Sequence, residues 1–219
     1  FLCAVIRSAD WQDRFLKRIS AMSLITLEQV ERPCCRARRS RPWASEAGFN
    51  VVRCEDCRML YVDPRPADSY IARAVETGEQ NFGAHPVNVR SRRIAAKIPR
   101  YRRLIRRLFA DRISEGKPLR WVDVGCGYGE TVEAARSVLP GGSAVIGVEP
   151  MMHKAERAKA RGLHVINGFL EERQFEADVI SNMDVFSHIA DYRAFLATVA
   201  TNLKPEGVWL IETGNTADL

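Results

Sequence analysis

Trp121-Val-Asp-Val-Gly125-Cys-Gly127-Tyr-Gly129-Glu130 is an apolar run that turns through three closely spaced glycines and ends on a carboxylate. Residues 119–124 predict a short buried strand, and residues 130–139 a helix stopped by Pro140-Gly141-Gly142. Glycines at such a turn let the backbone bend sharply and approach a ligand without a side-chain clash. Nucleotide-type cofactors sit at this point of a doubly wound sheet, although the same turn also serves purely structural ends. A dinucleotide fingerprint would continue Gly-x-Gly-x-x-Gly, but Glu130 stands where its helix should receive a pyrophosphate. Asp123, two residues before Gly125, adds a second negative charge. Both acids suit a ligand that carries positive charge.

Downstream the rhythm repeats. Strands are expected at 144–148, 164–166, 177–181 and 208–212, with helices at 151–161 and 191–203. Pro150 starts the first of these helices and Gly162 ends it, while Lys204-Pro-Glu-Gly207 ends the second. Alternation of this kind predicts an α/β fold with a mainly parallel sheet and helices on both faces. Glu149 closes the second strand, 24 residues after Gly125, where a carboxylate can accept both hydroxyls of a ribose. Its alternative role is that of an acid favoured by a helix start.

Upstream the composition changes. The 219 residues are 46% hydrophobic and carry a net charge of +6, enough for one sizeable core and a small appendage. Residues 1–120 hold 25 Lys and Arg against 13 Asp and Glu, whereas residues 121–219 hold 8 against 14. A basic half can serve an anionic partner, but no recognised nucleic-acid module accompanies it, so nucleic acid is not expected as a partner, and without a run long enough to span one no membrane is expected either. No apolar run approaches the roughly 18–20 residues of a spanning helix, and a cytoplasmic location is the expectation. Residues 89–111 predict an amphipathic helix, with Ile94, Ile98, Tyr101, Ile105 and Leu108 on one stripe, arginines around it, and Pro99 set to kink or split it.

Four of the six cysteines, Cys34, Cys35, Cys54 and Cys57, crowd into one short segment, which favours metal ligation over a disulfide framework. Residues 49–54 read as a strand delivering the Cys54-Glu-Asp-Cys57 turn. The other pair is adjacent, with Ala37 where a second Cys-x-x-Cys would place its thiol, and adjacent cysteines chelate poorly. One structural zinc, a three-cysteine site and a metal-free segment all remain open. The chain divides into a ragged or upstream piece (1–30), a Cys-rich zinc-ribbon-like segment (31–66), a connector with the basic helix (67–118) and a main core (119–219).

Four motifs in order, residues 121–130, Gly147-Val-Glu149-Pro150, the 178–188 stretch and the 203–214 stretch, resemble class I S-adenosylmethionine-dependent methyltransferases of the Rossmann-like type. The resemblance implies an enzyme that moves a methyl group from S-adenosylmethionine to a small-molecule acceptor. It places Gly125, Cys126 and Gly127 against the methionine part and Glu149 at the ribose, with Asp123, Gly129 and Pro150 also among the cofactor-binding residues. Gly168, Phe169 and Leu170 then flank the adenine, although Phe169 and Leu170 read equally well as core. Asn182, Met183 and Asp184 close the methionine side, and His188 stands where a base could take a proton from the acceptor. The Cys-rich segment resembles the small zinc-binding segment that precedes some of these enzymes. That family continues through another helix and two strands, so with the chain stopping at Leu219 the sheet is expected to lack its C-terminal strands. A noncatalytic S-adenosylmethionine-binding module and a nucleic-acid methyltransferase are the competing readings.

Overall fold

In the computed structural model, which describes residues 26–30, 35, 39–46, 49–78 and 94–214, the chain forms two compact units, 1–88 and 89–219. Cys34, most of the 1–30 piece and the start of the expected 89–111 helix lie outside the described residues.

The first unit is built on short strands. β1 (Leu27–Glu28) pairs antiparallel with β5 (Arg65–Pro66), while β2 (Ser40–Glu46), β3 (Phe49–Cys54) and β4 (Leu60–Val62) form an antiparallel meander. Arg65 ties this unit locally by donating to Glu28 at 3.0 Å and to Asp68 at 2.5 Å. α1 (Asp68–Thr77) follows, inside what the sequence offered as a connector. Asp68 in its first turn and Gly78 in the left-handed conformation after its last (φ 73°) are the start and stop signals of a helix.

The second unit carries the sheet. α2 (Ile94–Leu108) runs unbroken through Pro99, and the break falls later, at Phe109, before α3 (Ala110–Ser114). Proline near a helix start removes one backbone bond, and here the apolar stripe compensates: Ile98, Tyr101 and Ile105 are all buried. Then come β6 (Arg120–Val124), α4 (Glu130–Arg136), β7 (Ala144–Glu149), α5 (Met152–Ala160), β8 (Val165–Asn167), β9 (Ala177–Met183), α6 (Tyr192–Asn202) and β10 (Leu203–Glu212). All five strands are parallel, in the order β10-β9-β6-β7-β8. This is the Rossmann-like, doubly wound arrangement, with β6 at its centre.

The period-two alternation of β6 sorts its side chains onto two layers. Trp121 packs with Ile98, Tyr101, Ile105 and Phe109 of the preceding helices and with Val132 and Ala135 of α4. Val122 and Val124 face the other way, joining Val148, Leu170, Phe175, Ile180 and, from α6, Phe195 and Val199. Fully burying an apolar side chain of this size stabilises by roughly 1.5–3 kcal/mol. The α6 helix does stop ahead of 204–207, at Asn202, but the strand expected at 208–212 starts earlier, because residues 204–207 already run as extended chain in β10. The ladder to β9 shifts register between Leu203 and Val208, so Pro205 falls where no ladder bond is required.

Candidate active site

The chain leaves β6 toward β7 and β8 on one side and returns to β9 and β10 on the other, so the carboxyl end of β6 is a topological switch point. Crevices form there because the loops on either side part in opposite directions. The 125–129 loop lies at that point. Gly125 (φ 66°), Gly127 (φ 57°) and Gly129 (φ 86°) all occupy the left-handed region. A Cβ on Gly125 would stand 2.5 Å from Cγ2 of Val185, and one on Gly129 2.3 Å from Cδ1 of Leu163. Gly127 differs: its nearest neighbour would be the Glu130 carboxylate at 3.7 Å, leaving open space over the loop where a ligand can lie.

Glu149 is buried at the end of β7, and both its oxygens are engaged. The Gly127 N–H donates to Oε2 at 2.7 Å and the Met151 N–H to Oε1 at 3.0 Å. Burial pushes its carboxyl above the usual range, and these two amides oppose that shift. The carboxylate therefore pins the glycine loop to the start of α5 while keeping lone pairs for two further donors. Pro150 is half-buried beside it, and Asn167 Nδ2 donates to the Pro150 carbonyl at 2.9 Å.

Asp123 is buried on the layer shared with α2 and α4. Trp121 Nε1 donates to Ser181 Oγ at 2.8 Å, and the Ser181 hydroxyl donates to Asp123 Oδ1 at 2.6 Å. Burial raises the Asp123 carboxyl to about 7; hydrogen bonds from Ser181 and Thr131 oppose the rise, and the nearby Glu130 and Glu149 add to it. Burial likewise pushes the Cys126 thiol up, with the same three acids contributing, so it stays protonated. Tyr101 of α2 belongs to the same neighbourhood: burial and Glu212 raise its phenol to about 12. Three carboxylates around one loop repel one another, and a cationic ligand would relieve them.

The other expected residues gather at the adjoining strand ends. Asn182 is fully buried, its Oδ1 accepting from Trp209 Nε1 and its Nδ2 without a partner among the described residues. Met183 is half-buried, and Asp184 is exposed with φ 63°, its N–H donating to the Glu212 carbonyl at 2.7 Å. A non-glycine residue in that conformation stores strain of a kind that collects at functional sites. Gly168 and Phe169 are half-buried, whereas the Leu170 side chain is fully buried in the core, leaving it only backbone to offer a ligand. His188 is exposed in a short 3-10 turn, Phe186–His188, after β9.

Sequence reasoning missed Ser181, Trp121 as a donor, and Tyr101. Ser181 lies within the 178–188 stretch but is not singled out by it, Tyr101 reads only as part of an apolar stripe, and their link to Asp123 exists only once β9 and α2 are packed beside β6.

In the first unit, the sulfurs of Cys35, Cys54 and Cys57 all lie within 4.8 Å of one another, with Cys35 and Cys54 at 3.4 Å. The backbone amides of Cys57 and Asp56 lower the Cys54 thiol to about 7, against the effect of its burial. Arg58, directly after the turn, is left-handed at φ 67°.

A family model described as a methyltransferase domain matches residues 91–219. The ubiquinone biosynthesis O-methyltransferase of Bartonella quintana is 31% identical over 106 residues, covering 44% of this chain and 42% of that protein. Its counterpart in Rhizobium rhizogenes is 33% identical over the same extent. The chain thus spans less than half the length of these curated relatives. The solved structure of the PH0226 protein of Pyrococcus horikoshii is 18% identical, with a TM-score of 0.46 over 66% of this chain and 65% of that one.

Proposed function

Since the chain belongs to the methyltransferase-domain family, that of the class I S-adenosylmethionine-dependent enzymes, we propose that it binds this cofactor at the 125–129 loop and methylates a small-molecule acceptor. The observation that carries the reading is Glu149, a buried carboxylate bonded to the Gly127 amide below an open stretch of backbone.

The residues fit the group. Its ammonium and sulfonium answer the crowded charge of Asp123, Glu130 and Glu149, and the space over Gly127 admits an approach that a side chain would block. In this reading Glu149 accepts the ribose hydroxyls, with Pro150 shaping the turn beside it. Gly168 and Phe169 flank the adenine with the Leu170 backbone. Gly125, Cys126, Gly127, Gly129, Asn182, Met183 and Asp184 enclose the methionine part, and Asn182 Nδ2 gains there the acceptor it otherwise lacks.

When bound, the cofactor supplies a methyl group already activated by its sulfonium. The chain's own task is to align the acceptor for in-line attack and exclude water, which can contribute most of the rate. An imidazole nitrogen of His188 takes the proton if the acceptor is a hydroxyl. The relatives named for ubiquinone biosynthesis are O-methyltransferases by that name, so small hydroxylated acceptors are the first class to try. Titration calorimetry with S-adenosylmethionine, followed by transfer of labelled methyl to a metabolite extract, tests both halves. No heat of binding at millimolar cofactor would sink the assignment.

The Cys-rich segment has the chemistry of a zinc site. Thiols mutually within 4.8 Å match the sulfur separations around one tetrahedral ion, so Cys35, Cys54 and Cys57 would hold structural zinc, with Cys34 the neighbouring candidate for a fourth ligand.

A further inference from the structure

The outer face of α2 is a strip of positive charge. The helix holds Lys97, Arg100, Arg102, Arg103, Arg106 and Arg107 and no acidic residue. Arg102 is half-buried and donates to Ser137 at 2.9 Å, while the other five are exposed. Arg100 alone of these five meets a carboxylate, Glu212 at 2.7 Å, and remains 58% exposed. Lys97, Arg103, Arg106 and Arg107 have no ion-pair or hydrogen-bond partner among the described residues. Like charges one helical turn apart weaken a helix, and a face evolved only for solubility would mix signs.

We propose that this face of α2 docks the protein on an anionic phospholipid bilayer, lying on its surface without entering it. Arginine dominates the strip, and guanidinium groups suit phosphate oxygens better than ammonium groups do. From Lys97 to Arg107 the helix rises about 15 Å, which spans several lipid headgroups. Exposed Leu108 and half-buried Leu104 flank the cations on the side of Lys97, giving the strip a shallow apolar edge. The helix's one aromatic residue, Tyr101, is buried, so no platform for stacking bases accompanies the charge, which disfavours single-stranded nucleic acid. Ile98, Tyr101, Ile105 and Phe109 are committed to the core, which holds the helix at the surface plane. The Arg100–Glu212 pair also sets the start of this strip beside the carboxyl end of β10, the end of the sheet at which the candidate site opens.

This inference does not rest on the reading of the site, and its test is separate. The full chain is sedimented with vesicles of phosphatidylglycerol mixed with phosphatidylcholine, with vesicles of phosphatidylcholine alone, and titrated with duplex DNA and RNA of matched phosphate concentration. Binding to the anionic vesicles is expected, falling steeply with salt and absent on phosphatidylcholine. Replacing Arg103→Gln with Arg107→Gln should weaken partitioning about thirtyfold, at about fivefold per cation. Both side chains are exposed, and circular dichroism checks that the variant is folded. Equal binding to the two vesicle types, no effect of the double variant, or tighter binding to either nucleic acid would overturn the proposal.

Discussion

Gly127→Ala separates what the glycine loop does for folding from what it does for a ligand. The added methyl group would meet no protein atom closer than 3.7 Å, so its structural cost is the left-handed backbone alone, at φ 57°. That cost is about 1–2 kcal/mol. Gly116 is the built-in control: its φ is 70° and a Cβ there meets nothing within 4 Å, far from the switch point. The two alanine variants should therefore lose similar stability, each about 2–8 °C in melting temperature. Cofactor affinity should divide them. A methyl group pushed into a filled space costs about 1–3 kcal/mol, so Gly127→Ala should bind S-adenosylmethionine about 5- to 150-fold more weakly, while Gly116→Ala binds as the parent does. Differential scanning fluorimetry supplies the first comparison and titration calorimetry the second. Parent-like affinity in Gly127→Ala would refute the idea that the open space over this residue is the ligand's.

Three further outcomes are expected. Glu149→Gln keeps the side-chain shape but turns one acceptor into a donor facing a backbone amide 2.7–3.0 Å away, and calorimetry should show at least about tenfold weaker cofactor binding. Asp123 has a folded-state carboxyl raised to about 7, above the ordinary value of 3.8, so the native state holds its proton more tightly than the unfolded chain. Its contribution is greatest below pH 4 and is lost as pH rises to 7, so Asp123→Asn should gain stability relative to the parent across that window, by up to a few kcal/mol. Urea melts at pH 4, 5.5 and 7 that keep a constant gap between the two proteins would contradict this. Cys54→Ser, examined by elemental analysis of the reduced protein, should lose any stoichiometric zinc that the parent retains, and parent protein free of zinc removes the site.

The sheet was legible because its strands are short apolar runs bounded by glycine and proline, a pattern that survives without knowledge of neighbours. Trp121 to Val124 is the clearest case, buried throughout. Patterns shared by two structures were read less well. Lys204 to Gly207 does follow the end of α6, but its composition hid that the chain already runs extended there, with β10 pairing at Leu203 and resuming at Val208. α1 was passed over because its flanking glycines and prolines resemble a loop. Within the site, the acids and glycines were visible because their chemistry is local to the turn. The partners of Asp123 were not, since Ser181 lies 58 residues away in sequence and reaches it only across paired strands. For Leu170 the sequence left ligand and core open, since a place in a family motif says nothing about which way the side chain faces; it faces the core.

The bonded series Trp121, Ser181, Asp123 also makes the protein its own optical probe. A fully buried indole stands two hydrogen bonds from a carboxyl whose charge changes near neutral pH. Gain or loss of that charge alters the electric field along the ring, and tryptophan emission responds to such a field. The difference spectrum between the parent and Trp121→Phe therefore follows the proton on Asp123 directly, and titrating a cationic ligand into the same cuvette reports its arrival without any label.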